Sequence, residues 1–210
     1  EKPLIAYTIQ SAIKSKKINR LIVSTDDSEV AKIAEKYGAE VPFYRPRKLA
    51  KDNTPDQPVF QHALQSLKKQ DGYNPDIILN LRPTTPFRKT ETINKVINEI
   101  IKTKAAIVRT MSLVTGVHHP YWMYKISDKG KAVNFINNID INDYYQSQLL
   151  PEAYRINGVV DAFSNNTVMN GNMLSSNNIY SITISELEAL DIDTEFDFNL
   201  CEFFAEKFNS

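Results

Sequence analysis

Between residues 4 and 111, short runs of β-branched and aliphatic residues alternate with stretches of about 11–15 residues whose apolar positions recur at helical spacing. That alternation predicts βαβ units, a mostly parallel sheet and helices packed on it. Leu4, Ile5, Thr8, Ile9, Ala12 and Ile13 fall on one side of a helix over 4–14, and Leu21-Ile22-Val23-Ser24 follows as a strand. A second helix is expected from Ser28 to Tyr37, with Asp26 and Glu29 serving its N-terminus, Gly38 just past its end, and a short strand over 40–43 beyond. A loop from Tyr44 to Asp56 leads to a helix over 57–70 and to the apolar strand Ile77-Ile78-Leu79-Asn80-Leu81. The next residues, Arg82-Pro83-Thr84-Thr85-Pro86-Phe87-Arg88, carry two prolines and cannot be helical at once. They form a turn at the C-terminal end of a strand, where open parallel sheets bind ligands. A helix over 91–103 and a strand over 105–111 complete the regular part.

From residue 112 to 183 the rhythm changes to short β-type runs at 121–126, 132–137, 156–163 and 179–183, joined by Asn-rich connections. No linker separates them from what precedes, so residues 1–210 are expected to form one domain, with 112–183 as a subdomain folded onto the sheet. After Leu190-Asp191-Ile192-Asp193 a last helix runs to about Phe208, with Thr194 and Asp197 at capping-box spacing.

Composition narrows the function classes. The 42% hydrophobic and 24% charged content is that of a chain able to bury a sizeable core, and 25 Lys+Arg balance 25 Asp+Glu. No overall basic field draws it to nucleic acid or to an anionic membrane. One cysteine, Cys201, excludes an internal disulfide and a Cys-rich zinc site. With no long apolar run and no signal peptide, the expected setting is the cytoplasm. The neutral total hides a local asymmetry: Arg45, Arg47, Lys48 and Lys51 lie close together, whereas residues 186–206 carry eight acids and no base.

Several groups of residues could carry chemistry. In an extended Asp191-Ile192-Asp193 the two carboxylates point the same way, a pair that repels itself unless a cation lies nearby. Mg²⁺ fits such oxygen ligands, whereas the other reading has both acids serving the N-terminus of the last helix. Arg45, with Tyr44 before it and Asp52, Asn53 and Thr54 after it, offers a guanidinium, a ring and short hydrogen-bonding side chains suited to a nucleobase and its phosphates; a solvated loop is the alternative. Arg155 and Asn157 share one side of a strand and could hold a carboxylate and a hydroxyl. Adjacent His118 and His119 point to opposite faces, which argues against a shared metal.

The ordered blocks Pro3-Leu4-Ile5-Ala6-Tyr7-Thr8-Ile9, Val23-Ser24-Thr25-Asp26, Arg45-Pro46, Leu49-Ala50-Lys51-Asp52, Leu81 to Arg88, Asn157-Gly158 and Asp191-Ile192-Asp193-Thr194 resemble those of the bacterial CMP-sialic acid synthetases, or acylneuraminate cytidylyltransferases. The resemblance implies an α/β fold of the GT-A-like nucleotidyltransferase type, a Rossmann-like sheet flanked by helices with a small β-rich dimerisation arm. It implies an enzyme that transfers CMP from CTP to the anomeric hydroxyl of a nine-carbon (nonulosonic) sugar acid and releases pyrophosphate, as in lipopolysaccharide or capsule synthesis. By the same resemblance Asp191 and Asp193 would hold Mg²⁺, and Arg45, Asp52, Asn53 and Thr54 would meet the nucleotide. Arg155 would fix the sugar carboxylate, and Arg82, Thr84, Thr85, Asn157 and Tyr121 would line the sugar site. Arg82 stands where relatives usually show Gln, and Tyr121-Trp122 where they have Lys after the His-His-Pro run, so legionaminic or pseudaminic acid is as good an expectation as sialic acid. Tyr121, Trp122, Tyr124, Phe135, Tyr144 and Tyr145 are expected at a homodimer contact.

The resembled enzymes open with a strand and a basic loop of the form Ala-Arg-x-x-Ser-Lys that binds the triphosphate, just before the helix that starts here at Pro3. The expectation is that the sequence omits roughly 25–30 residues, because removing a central strand would leave its neighbours unpaired. The alternatives are a 3-deoxy-manno-octulosonate cytidylyltransferase, or a non-catalytic nucleotide- or sugar-binding relative if that loop is truly lacking.

Overall fold

The structure is a computed structural model that describes residues 2–171 and 173–209, with side chains through Lys207. Helix α1 (Leu4–Ile13) buries Ala6, Thr8, Ile9 and Ala12, but Ile13 is half exposed, its tip lying over Gly38. Helix α2 (Ser28–Lys36) begins at the expected residue, but its cap lies one position later than the expected Asp26. Asp27 is the N-cap, accepting from the Glu29 and Val30 amides at 2.6 and 3.1 Å. Helices α3 (Asp56–Asp71) and α4 (Thr90–Thr103) match their expected spans closely.

The expected strands over 21–24 and 40–43 shrink to a single parallel bridge between Ile22 and Glu40, closed by Val23 N to Glu40 O at 2.9 Å and Glu40 N to Leu21 O at 2.8 Å. An extended segment becomes a strand only through its neighbours, and residues 21–24 have one at a single position. Their other side faces a cleft of about 850 Å³ bounded opposite by β1 (Ile77–Asn80). Arg20 closes the far end, bonding Glu40 and Asp71 at 2.6 Å each.

The sheet has the order β1-β5-β2-β6, with β2 spanning Ile107–Leu113, β5 Tyr154–Ser164 and β6 Ile179–Thr183. β5 is antiparallel to both β1 and β2, and β6 is parallel to β2. Three of the four strands therefore run one way, and the sheet is mixed rather than simply parallel. β5 and β6, expected in the subdomain, belong to this main sheet. What leaves it is the arm over 114–153, built on the hairpin β3 (Tyr124–Ile126) and β4 (Ala132–Asn134).

Alternation along the strands sorts the core. Val108, Ala162, Ile77 and Leu79 face Ile93, Val96, Ile97 and Ile100 of α4, whereas Ile107, Phe163 and Ile78 face Leu64 of α3 and Val168 of the short helix α5 (Asn165–Asn170). Each fully buried aliphatic side chain contributes about 1.5–3 kcal/mol relative to exposure. Helix α6 (Glu195–Asn209) follows a capping box, in which Thr194 N donates to Asp197 Oδ2 at 2.9 Å and Asp197 N to Thr194 Oγ1 at 3.3 Å. Among the described residues, no helix is long and apolar enough to cross a membrane.

Candidate active site

The 82–88 turn is held from within. Thr85 is fully buried; its hydroxyl donates to Arg82 O at 3.1 Å and accepts from the Arg88 guanidinium. Thr84, by contrast, offers its carbonyl to Ile192 N at 3.0 Å, which lays the Asp191-Ile192-Asp193 segment against the turn. Residues far apart in sequence thus meet through one backbone bond. The N-terminus of α6 is closed by Thr194 and Asp197. Asp191 and Asp193 are free of that role: Asp191 is half-buried facing Arg88 and Asp193 is exposed.

Asp191 Oδ1 is buried and accepts no hydrogen bond, an orphaned carboxylate oxygen of the kind a hard cation satisfies. Among the described residues no group of three or more His, Cys, Asp or Glu could hold a metal. A pair of carboxylates fits Mg²⁺ all the same, because that ion is commonly bound through one or two carboxylates plus phosphate oxygens and water.

Arg45 lies on the opposite bank of the cleft. Its backbone amide donates to Thr25 O at 2.8 Å, and its guanidinium bonds Ser24 through Oγ at 3.2 Å and through the carbonyl. Lys51 and Thr54 close a small turn, Thr54 N to Lys51 O at 2.9 Å and Lys51 N to Thr54 Oγ1 at 3.2 Å, with Asp52 and Asn53 exposed at its tip. Arg45, Lys51 and Thr54 line the same cleft as Thr8, Asn80 and Pro83, so two of the nucleotide candidates, Arg45 and Thr54, share one space with the base of the 82–88 turn, whereas Asp52 and Asn53 lie outside its lining.

The sugar-side candidates separate. Arg82 reaches out of its turn, half exposed, to Asp56 at 3.5 Å, and crosses the face of Gly158. Arg155 is exposed and paired with Glu186 at 2.5 Å. Asn157, two positions on, is buried, its amide donating to Ser112 Oγ at 2.9 Å and accepting from Thr110 Oγ1 at 2.7 Å. Asn157 and Thr85 therefore build the site from behind. Tyr121 sits in the arm, its ring edge-on to His119 and Tyr144 at 4.9 and 4.8 Å. His119 is buried and bonds Pro151 O at 3.0 Å.

Three further residues receive no role from the sequence: Arg88, which closes the Leu81 to Arg88 block, and Arg109 and Asp161, which belong to no motif. Arg88 is buried and bonds four acceptors; burial pushes its guanidinium down to about 10 against the opposing pull of Asp191 and Glu188. Asp161 and Arg109 face each other at 3.4 Å inside the sheet, and burial raises the Asp161 carboxyl above the usual carboxylate range while Arg109 and Arg82 pull it back. An Arg at the end of a proline turn and an Asp in an apolar strand are the available signals, and neither names a partner.

A family profile described as Cytidylyltransferase matches residues 1–202. Among curated proteins, the chain is 31% identical over 202 residues to a CMP-N,N'-diacetyllegionaminic acid synthase of Legionella pneumophila, covering 96% of this chain and 84% of that protein. It is 28% identical over 209 residues to a post-translational flagellin modification protein B of Campylobacter coli, covering 98% and 85%. It is 26% identical over 200 residues to an N-acylneuraminate cytidylyltransferase of Escherichia coli, covering 95% of this chain and 45% of that one. Among solved structures, a CMP:2-keto-3-deoxy-manno-octonic acid synthetase complexed with CTP superposes with a TM-score of 0.67 at 11% identity, covering 98% of this chain and 88% of that one. A 4-diphosphocytidyl-2C-methyl-D-erythritol synthase from Anaerococcus prevotii gives 0.61 at 17%, covering 97% and 89%. These two show the nucleotidyltransferase fold, and the sequence matches show the rest: the chain belongs to the cytidylyltransferase family of nucleotidyltransferases, among its CMP-sialic acid synthetase-like members.

Proposed function

We propose that the chain transfers CMP from CTP to the anomeric hydroxyl of a nonulosonic acid of the legionaminic type and releases pyrophosphate. The observation that carries this reading is the meeting of the Asp191-Ile192-Asp193 segment with the 82–88 turn, whose Pro83 lines the cleft that also holds Arg45, Lys51 and Thr54. In the reaction the anomeric oxygen attacks the α-phosphorus, the bond to the β-phosphate oxygen breaks, and the sugar hydroxyl loses its proton. The protein's part is positioning and charge neutralisation. Arg45 would meet the base and ribose, with Asp52, Asn53 and Thr54 beside it. Arg155 would take the sugar carboxylate as a bidentate partner, exchanging it for Glu186. Asp191 and Asp193 would hold Mg²⁺, which when bound supplies positive charge to the triphosphate.

The choice of sugar rests on relatives: two named as CMP-N,N'-diacetyllegionaminic acid synthases align over 96% and 95% of this chain, whereas a 3-deoxy-manno-octulosonate cytidylyltransferase of Chlorobium phaeobacteroides aligns over 44%. Pyrophosphate release by the purified full-length protein, with CTP, Mg²⁺ and separate legionaminic, pseudaminic, sialic and 3-deoxy-manno-octulosonic acids, tests the reading. Turnover with a nonulosonic acid is expected, and turnover confined to the eight-carbon acid would overturn it. Asp191→Ala should lower kcat by at least about 100-fold while the melting temperature stays near wild type. Activity within about tenfold would remove Asp191 from the metal role. We further propose a cytoplasmic homodimer that meets through the 114–153 arm, where Tyr124, Ile126, Phe135 and Tyr145 are exposed.

A further inference from the structure

The 82–88 turn ends on Arg88, a cation only 5% exposed. Its Nε donates to Val159 O on β5 at 2.7 Å, Nη1 to Thr8 Oγ1 on α1 at 2.8 Å, and Nη2 to Arg82 O at 2.5 Å and to Thr85 Oγ1. Each of the two threonine hydroxyls turns its own proton onto the same Arg82 carbonyl, from 3.2 Å for Thr8 and 3.1 Å for Thr85. One carbonyl oxygen thus collects three donors, two of them relayed from a single guanidinium. Two residues further on, Thr84 O receives the Ile192 amide at 3.0 Å, the N–H that lies between the two aspartates.

Hydrogen bonds therefore run from the middle of β5 through Arg88 to the pinned Arg82 carbonyl, and the short backbone from Arg82 to Thr84 joins them to the bond that holds the segment carrying Asp191 and Asp193. We propose that Arg88 is a positioning residue, which locks the 82–86 turn onto β5 and α1 and thereby fixes the Asp191-Ile192-Asp193 segment. The planar guanidinium suits this role because it presents five N–H groups in fixed directions, whereas an ammonium offers three from one point. All four acceptors of Arg88 are neutral oxygens, so its charge is left to face the Asp191 and Glu188 carboxylates across the turn. A buried cation bonded only to neutral groups is an expensive way to pack a turn, since its desolvation is not offset by a contacting anion. It is an effective way to hold a carboxylate segment in place. The inference rests on the metal-holding role proposed above for Asp191 and Asp193.

Arg88→Lys and Thr8→Val test it, by amide hydrogen exchange at Ile192 and by steady-state kinetics with CTP and sugar acid varied separately. Arg88→Lys keeps the charge and loses the fork; Thr8→Val removes one relay and leaves the cation in place. In both, the Ile192 amide should exchange at least about tenfold faster, while the amides of the β2–β5 ladder stay within about twofold of wild type. The kcat should fall by about 100-fold for Arg88→Lys and about tenfold for Thr8→Val, with the KM for CTP little changed. If Arg88→Lys does not fold, Thr8→Val decides alone. Ile192 exchange and kcat within about twofold of wild type in a folded variant, with only the melting temperature lowered, would reduce Arg88 to a packing role. Because the exchange measurement needs no substrate, it still reads the positioning if the wild-type protein turns out to transfer nothing.

Discussion

His62 stands on α3 with Phe43 edge-on at 5.3 Å, in the field of Arg45 and Lys48. Burial first, and those two cations second, hold its imidazole below the ordinary value of 6.5. With the folded pKa depressed, the unfolded chain binds the proton more readily. Stability is therefore full above pH 6.5, declines as pH falls below it, and levels off below the folded pKa. His62→Gln should flatten the part of a melting-temperature profile that lies just below pH 6.5, and an unchanged slope would assign it to another group. Gly158 is a second single-residue case. Its φ of +67° strains any side chain, and an added Cβ would lie 3.2 Å from both Cδ and Nε of Arg82, which would have to give way. Gly158→Ala should cost about 1–2 kcal/mol in denaturant unfolding and raise the KM for the sugar acid more than that for CTP. Equal changes in both KM values would mean that Arg82 does not face the sugar. Asn-Gly is readable as a motif, but the arginine across it is not.

At the scale of elements, the helices are the legible part. The apolar faces of α3 and α4 and the Thr194–Asp197 box of α6 stand where periodicity and capping chemistry put them. The cap of α2 lies one residue from its expected place, because Asp26 and Asp27 are chemically equal and only the backbone shows which carboxylate faces the free amides. Asp27→Ala should destabilise by about 1 kcal/mol and Asp26→Ala by less than about 0.5, measured by chemical denaturation. Reversed magnitudes would return the cap to Asp26. Strands are less legible. The 21–24 run has the composition of a strand but only one bridge, and 156–163 reads as peripheral although it forms the centre of the sheet. The arm divides likewise: Trp122 Nε1 bonds Tyr144 O at 2.7 Å, so Trp122, Tyr121 and Tyr144 make a small core of their own, leaving Tyr124, Phe135 and Tyr145 outside.

For the whole molecule, two measurements bear on the proposals. Binding of CTP to the folded state alone stabilises by about 2.7 kcal/mol at about one hundred times its dissociation constant, so CTP with Mg²⁺ should raise the melting temperature by several degrees where ATP does not. Sedimentation at micromolar concentration should give a dimer, and a monomer would leave the exposed face of the arm without the proposed partner.

The sequence by itself determined the α/β class, the helices, the turn at 82–88 and the family, because periodicity, proline chemistry and motif order are local properties of the chain. It also named the two aspartates and Arg45. Only the tertiary structure decided what stands behind them: that β5 runs antiparallel through the middle of the sheet, that Asn157 and Thr85 face inward, and that Arg88 ties the turn to α1 and β5. Such contacts join distant parts of the chain, as in Thr84 to Ile192 at 3.0 Å and Gln57 to Val168, 111 positions apart, at 3.1 Å. Hydrogen bonding at that range leaves no spacing to read in the sequence.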